Sequence, residues 1–390
     1  MDKKPLPLAL IILSLILLAV NMRSPIVMIG SLAQTLGDVL SLSAVHIGYL
    51  GALPLPLFAL GALVAPRLAS RFGLERVIIA MIACLSVAVG GRVWFGVVGL
   101  FVGTFVLSLA IGFLNVLIAP FIKKYAKDNI ALATGIFSLS MSVCAGLLAW
   151  AVVPITGATS WQVGLSLWSV FGVLAVAVWG MMLKGGADKA GESNGGGQSA
   201  FKVWHCVDAY YLAVFFGVQS LLFYSVASFL PSVGTGYGMS LEQATGLAFV
   251  FQIMAPVAVL VLTWLIKRNA PIKPIALISA LFNVVGSAGL LWSPTLLPLW
   301  SALLGFGGAS IFTLTLMLFS LRTSHVETAR DLSGMVQAVG YVIAFFGPLV
   351  LGFLFEKTGS WQIPLQVLLG LMVVNVVFAF LAGKGDKVDC

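Results

Sequence analysis

Arg23 stands in a stretch with no other charge between Lys4 and Asp38. The residues around it read Asn21-Met22-Arg23-Ser24-Pro25, with Leu17 to Val20 before them and Ile26 to Ile29 after. At about 1.5 Å rise per residue, a helix over this run crosses the roughly 30 Å hydrocarbon layer and leaves the guanidinium near mid-depth. Exposing it to lipid there costs at least about 2.5–3.5 kcal/mol, so the side chain has to face protein or a watery cavity. The guanidinium carries five N–H donors in a rigid planar fork, suited to a carboxylate, a nitro group or a cyanate-like anion. The competing reading is a tether for the loop at the outer end of a short helix. Pro25 weighs against it, because a backbone break of this kind is common where a membrane helix lines a substrate path.

Other polar side chains in long apolar runs are candidates for the same site. Asn21 lies two residues from Arg23, about 200° around a helix, and serves either a ligand or a neighbouring helix. Gln219 and Tyr224 lie in one later run and Gln252 in the next; Asn115 lies in an earlier one. Gln337 and Tyr341 are four apart and share a helical face. Phe312 and Thr313 offer an aromatic plane and a hydroxyl, although an aromatic in a membrane helix usually packs. Uncharged polar groups at mid-depth also act as interhelical glue, the plainer reading for each of them.

The remaining charges gather at the ends of the apolar runs. His205 and Asp208 start one run, and Glu327, Arg330 and Asp331 flank the start of another. They read as solvated helix-end charges or as latches of a cytoplasmic gate. His46 is isolated and peripheral. No Asp or Glu falls near the middle of any run, so a proton-binding carboxylate at depth has no candidate. Uniport, anion exchange and symport at an arginine site all stay open.

These residues need helices that cross a membrane. With 60% apolar and 9% charged residues and a mean hydropathy of +1.10, the composition lies far from that of a soluble domain and defines an all-α polytopic membrane protein. Twelve spans are expected at 6–36, 44–69, 74–94, 96–122, 131–155, 162–183, 206–232, 243–266, 273–293, 296–321, 331–355 and 361–383. No small-residue cleavage site follows the first apolar run, so it is retained as a span. The Gly-rich polar stretch 184–202 cannot form a packed core and divides six spans from six, giving bundles over 1–183 and 203–390. Apart from Arg23, every Lys and Arg then falls on the side of the termini except Arg92 and Lys357, which places both termini in the cytoplasm. Basic residues so dispersed do not make a nucleic-acid surface. Cys84, Cys144, Cys206 and Cys390 show no metal-site or disulfide spacing, and no phosphate-binding GxxxxGK[ST] stretch is present.

The halves repeat. Thr159-Ser160-Trp161-Gln162 before the sixth span matches Gly359-Ser360-Trp361-Gln362 before the twelfth, and Leu42 to Gly48 echoes Ser240 to Gly246. An offset spanning an even number of helices makes the halves parallel repeats about an axis along the membrane normal. It sets Gln219 against Asn21 and Leu221 against Arg23, a polar pair with a charge on one side.

With these marks the chain resembles the major facilitator superfamily over all twelve spans, and more narrowly the bacterial cyanate and 2-nitroimidazole transporter family. The resemblance rests on Asn21-Met22-Arg23-Ser24-Pro25, on Ser333 to Gly352 continuing through Thr358-Gly359-Ser360-Trp361 to Pro364-Leu365, and more loosely on Gly307 to Leu316 with Leu321-Arg322. Asn115-Val116-Leu117-Ile118 resembles that family's Asn-Val-Leu-Leu-Pro, with one extra residue, Ala119, before Pro120. The superfamily's signature loop between spans two and three maps onto Pro66, Ser70, Arg71, Gly73, Glu75 and Arg76, with Ser70 where an acid stands; Arg71 and Arg76 are its gating candidates. The resemblance implies alternating-access movement of a small solute by a chain that needs no cofactor and works as a monomer in a bacterial inner membrane. Two other functions compete: efflux of small neutral or weakly basic aromatic compounds, and a non-transporting receptor or membrane enzyme on the same scaffold.

Overall fold

The computed structural model describes residues 7–42, 44–184 and 203–384. The expected linker, Lys184 apart, lies outside them, as do Lys3, Lys4 and residues 385–390. Among the described residues twelve helices are long and apolar enough to cross a membrane. In order they are Leu8–Ser31, Tyr49–Phe72, Leu74–Gly91, Gly96–Tyr125, Lys127–Ala158, Trp161–Met181, Val207–Gly236, Gln243–Lys267, Ile272–Trp292, Pro294–Leu321, Val326–Thr358 and Gln362–Ala382. We refer to them as spans one to twelve. A helix meets its backbone hydrogen bonds within the segment, the condition for crossing lipid.

Three expected spans differ in detail. Span one ends at Ser31, not 36, because the chain leaves helical geometry at Leu32 (φ −105°, ψ 15°) and resumes as the short helix Ala33–Leu40. Polar Gln34, Thr35 and Asp38 fall in that second piece. Span two is preceded by a helix over Ala44–Ala52 that gives way at Leu53 to Pro54–Phe72, since Pro54 and Pro56 have no N–H to return to the turn before them. Span six is made of Trp161–Ser166 and Ser169–Lys184. Helix one, by contrast, runs through Pro25 without interruption.

By their internal contacts the residues form two compact units: Met1–Phe201 with His325–Gly334, and Lys202–Ser324 with Met335–Cys390. Within the first, span two packs on four, three on four and six, and one on five and six. Within the second, eight packs on ten, nine on ten and twelve, and seven on twelve. Apart from one on five, those pairings correspond under the repeat. The start of span eleven groups with the first unit, where Gly334 meets Pro66 and would bring a Cβ to 3.0 Å from the Ala62 carbonyl oxygen.

The repeated Ser-Trp-Gln motif does one job twice. Ser160 Oγ accepts from the Val163 N–H at 3.3 Å, and Ser360 Oγ from the Gln362 N–H at 3.2 Å. The adjacent indoles are buried in the cores of their own units, Trp161 with Leu100, Val152 and Leu165, and Trp361 with Leu230, Val233 and Leu368. In the other repeated motif, Ser240 and Gln243 close a capping box at the start of span eight, which satisfies two orphan N–H groups. Cys84 and Cys144 are free thiols, whereas Cys206 is disulfide-bonded, a pairing that the cysteine spacing does not announce.

Close helix approach in lipid depends on small residues. A Cβ on Gly61 would stand 2.9 Å from the Gly112 carbonyl carbon, and one on Gly112 would stand 2.9 Å from the Phe58 Cα. Spans two and four thus touch backbone to backbone. Gly112→Ala is expected to cost about 1–3 kcal/mol by forcing them apart. Gly146→Ala, at a glycine with open space for a methyl group, is its control. Thermal unfolding in detergent should show a lower melting temperature for the first and no loss for the second.

Candidate functional site

In the first unit, span one sets Arg23 two-thirds of the way along a 24-residue helix, half-buried between the buried Met22 and Ser24. Asn21 points elsewhere. Its Nδ2 donates to the Leu17 carbonyl at 2.7 Å, and its Oδ1 lies 3.2 Å from where a Cβ on Gly172 would stand, a place that Ser86 also crowds. Only 4% exposed, it packs among spans one, three and six, as the 200° offset from Arg23 allows. Asn115 is buried in span four.

In the second unit, Gln219 is 2% exposed; its Oε1 accepts from Ser220 Oγ at 3.3 Å, and its Nε2 lies 3.6 Å from the place of a Cβ on Gly308. Three residues before it stands Phe216, a side chain the sequence reading passed over. Phe216 meets Tyr341 edge-on at 5.4 Å between ring centroids and Phe312 at 6.0 Å, joining spans seven, ten and eleven. This is possible because Gly217 and Gly340 bring spans seven and eleven together, a Cβ on Gly217 falling 2.9 Å from the Gly340 Cα. Thr313 is buried next to Phe312, and its hydroxyl has no hydrogen-bond partner among the described residues. Gln337 is buried on the same helix as Tyr341. Helical spacing from Gln219 was the available signal for Phe216, but an apolar ring in an apolar span carries no mark of its own.

Two expected members lie apart from this group. Tyr224, half-buried, meets Phe223 edge-on at 5.3 Å, and Phe223 in turn packs on Phe251. Gln252 differs from the buried members: span eight turns Leu247, Phe251 and Ala255 into the core of its unit, and Gln252 is exposed on the face of Phe249 and Ile253.

The cytoplasmic charges separate into two kinds. Arg71, Arg76 and His205 are exposed, with the Arg71 guanidinium 5.3 Å from the Phe72 ring centroid. Asp208 and Glu327 lie in the first turns of spans seven and eleven, where the helix dipole favours an acid. Arg330 and Asp331 are buried, and Arg330 Nε donates to Asp331 Oδ1 at 2.9 Å. A further cluster lies where the loop signature lacks its acid at Ser70. Glu75, at the start of span three, accepts from Lys124 Nζ at 2.8 Å and from the Tyr125 hydroxyl at 2.7 Å, both at the end of span four. Among the described residues, every Asp and Glu lies outside the spans or within two turns of a span's end.

Arg92, expected at the outer end of the third span, is 1% exposed, and its Nε, Nη1 and Nη2 have no hydrogen-bond partner among the described residues. Burial lowers the guanidinium to about 10, which leaves it charged at neutral pH.

A profile described as Major Facilitator Superfamily matches residues 10–344. The chain belongs to the Major Facilitator Superfamily. It is 30% identical over 368 residues to the uncharacterized transporter YycB of Bacillus subtilis (strain 168), covering 93% of this chain and 91% of that one. It is 29% identical over 379 residues to the 2-nitroimidazole transporter of Escherichia coli (strain K12), covering 97% and 96%. A solved structure of the proton:xylose symporter XylE bound to 6-bromo-6-deoxy-D-glucose superposes with a TM-score of 0.79 over 97% of each chain; at 13% identity this likeness shows the fold. As a member of the superfamily, the chain is a secondary transporter that moves a small polar or charged solute by alternating access. It is a multi-pass inner-membrane protein with both termini on the cytoplasmic side.

The Glu75 cluster generates a test of what holds the cytoplasmic ends of spans three and four together. Removing the acceptor in Glu75→Ala leaves Lys124 and Tyr125 without it and is expected to cost about 1–3 kcal/mol. Because the two side chains share one interaction, the double variant with Lys124→Ala should lose less than the sum of the single losses. Melting temperatures of the four proteins in one detergent measure this coupling.

Proposed function

We propose that this transporter carries a small, planar, anionic or strongly dipolar solute, and that the Arg23 fork holds it. Carrying the proposal is the placement of a permanent cation, half-buried, deep in a span whose next charges are Lys4 and Asp38. A guanidinium there attracts an anion more strongly than in bulk water, provided that direct hydrogen bonds repay desolvation. The resemblance to the cyanate and 2-nitroimidazole transporter family supports the same solute class. Asn115 from the first unit, and Gln219, Thr313, Gln337 and Tyr341 from the second, are the polar side chains we assign to the solute path. Asn21 is assigned to packing. In the cycle we propose, the bundles over 1–183 and 203–390 rock about the bound solute, within a single monomer.

A second reading has its own observation. The rings of Phe216, Phe312 and Tyr341 pack on one another in the second unit, and the half-buried Phe312 would offer a ring to a neutral aromatic compound as well as to a planar anion. Efflux of neutral or weakly basic aromatics is therefore the alternative. A thermal-shift screen of small carboxylates, cyanate-like anions, nitroimidazoles and neutral aromatics separates the two. Stabilisation by neutral aromatics alone would support efflux.

Labelled counterflow in liposomes, with a solute that the screen identifies, tests the role of Arg23. Arg23→Gln is expected to abolish most of the saturable exchange while folded protein remains in the membrane. Arg23→Lys keeps the charge and loses the fork, so its apparent affinity should fall by about 10–100-fold. Unchanged affinity and rate in Arg23→Gln would remove Arg23 from the site. Binding without flux under any gradient would favour a receptor.

A further inference from the structure

Arg92 raises a question that transport at Arg23 does not answer. It caps the C-terminal end of span three, and the chain there doubles back into span four. Its Cβ packs on Gly103, two turns into span four, and a Cβ on Gly99 would stand 3.0 Å from the Arg92 carbonyl oxygen. An ion buried without a partner costs several kcal/mol even after the protein relaxes around it, so a charged group in this position calls for a counter-charge. Among the described residues of the first unit no carboxylate supplies it: outside the short helix Ala33–Leu40 the acids are Glu75, Asp128, Glu327 and Asp331, all at cytoplasmic helix ends, and Asp38 is exposed in that short helix.

Packing alone does not account for the charge. The equivalent outer corner of the second unit, between spans nine and ten, is closed by an indole: Trp300 lies over Gly289 and donates Nε1–H to the Ser293 carbonyl at 2.8 Å. The fold thus closes such a corner with a side chain that needs no counter-ion.

We propose that Arg92 binds a small inorganic anion of the halide or nitrate kind as a structural counter-ion of the first bundle, at its outer end and separate from the transported solute. The anion completes the hydrogen bonding of the guanidinium and stabilises the folded protein by mass action.

The purified protein, melted in gluconate at constant ionic strength and titrated with chloride, bromide or nitrate, tests the site. The wild type should gain several degrees in a saturable manner. Arg23→Gln should keep that gain, and Arg92→Met, which replaces the charge with an apolar chain of similar length, should lose it. Should Arg92→Met fail to fold, Arg92→Lys provides the same information: a charge without the fork should weaken the half-saturating concentration at least tenfold, by about 1.4 kcal/mol or more. A wild type indifferent to the anion overturns the proposal. So does a gain that vanishes in Arg23→Gln, or one that persists unchanged in Arg92→Met or, where only the lysine variant folds, in Arg92→Lys.

Discussion

A charge taken out of water must be paid for by a specific partner or kept where water reaches it, and in a chain with 9% charged residues this constraint governs nearly every position. It draws lysines and arginines to the cytoplasmic ends of the spans, which orients the protein, and it draws acids to helix N-termini and to the Glu75 and Asp331 pairs. Arg23, Arg92 and the exposed Lys357 lie away from those ends. The first is half-buried on a transport helix and the second fully buried at an outer corner. Their contrast in burial is why we assign one to a passing solute and the other to a resident ion.

The rest of each unit serves to bring backbones close enough for these positions to be built. Backbone contact at Gly61 and Gly112, and at Gly217 and Gly340, lets helices meet without a driving force from water, which is absent in lipid. The second contact also sets Phe216 against Tyr341, so the same glycines that pack the bundle shape the aromatic cluster. Site and scaffold therefore share residues, and a substitution at Gly340 would disturb both.

The twelve spans and their sidedness were legible because hydropathy and the placement of Lys and Arg are additive over many residues. Boundaries at Leu32 and Leu53 were less so, since they depend on local breaks inside otherwise apolar runs. Arg23 was legible because its charge is costly in any arrangement. The exposure of Gln252 was not, because its helix has two apolar faces and the sequence does not say which one packs; it follows from Phe251 sitting in the core of its unit. Phe216 was hidden among twenty-six phenylalanines, whose role only neighbours decide. The burial of Arg92 was not legible either, because it follows from the missing side chains at Gly99 and Gly103.

Without an acid at depth, arginine is the charge available to hold the solute, and arginine does not titrate near neutral pH. Proton linkage then has to come from the solute's own ionisation. Solid-supported-membrane currents and a pH-sensitive dye, read from the same liposomes with a permanently charged planar anion, measure this directly. The account predicts saturable current with the sign of the anion for uniport, or none for one-for-one exchange, and no solute-driven proton movement in either case. Saturable proton flux driven by that anion, and abolished by neutralising one Asp, Glu or His, would contradict it.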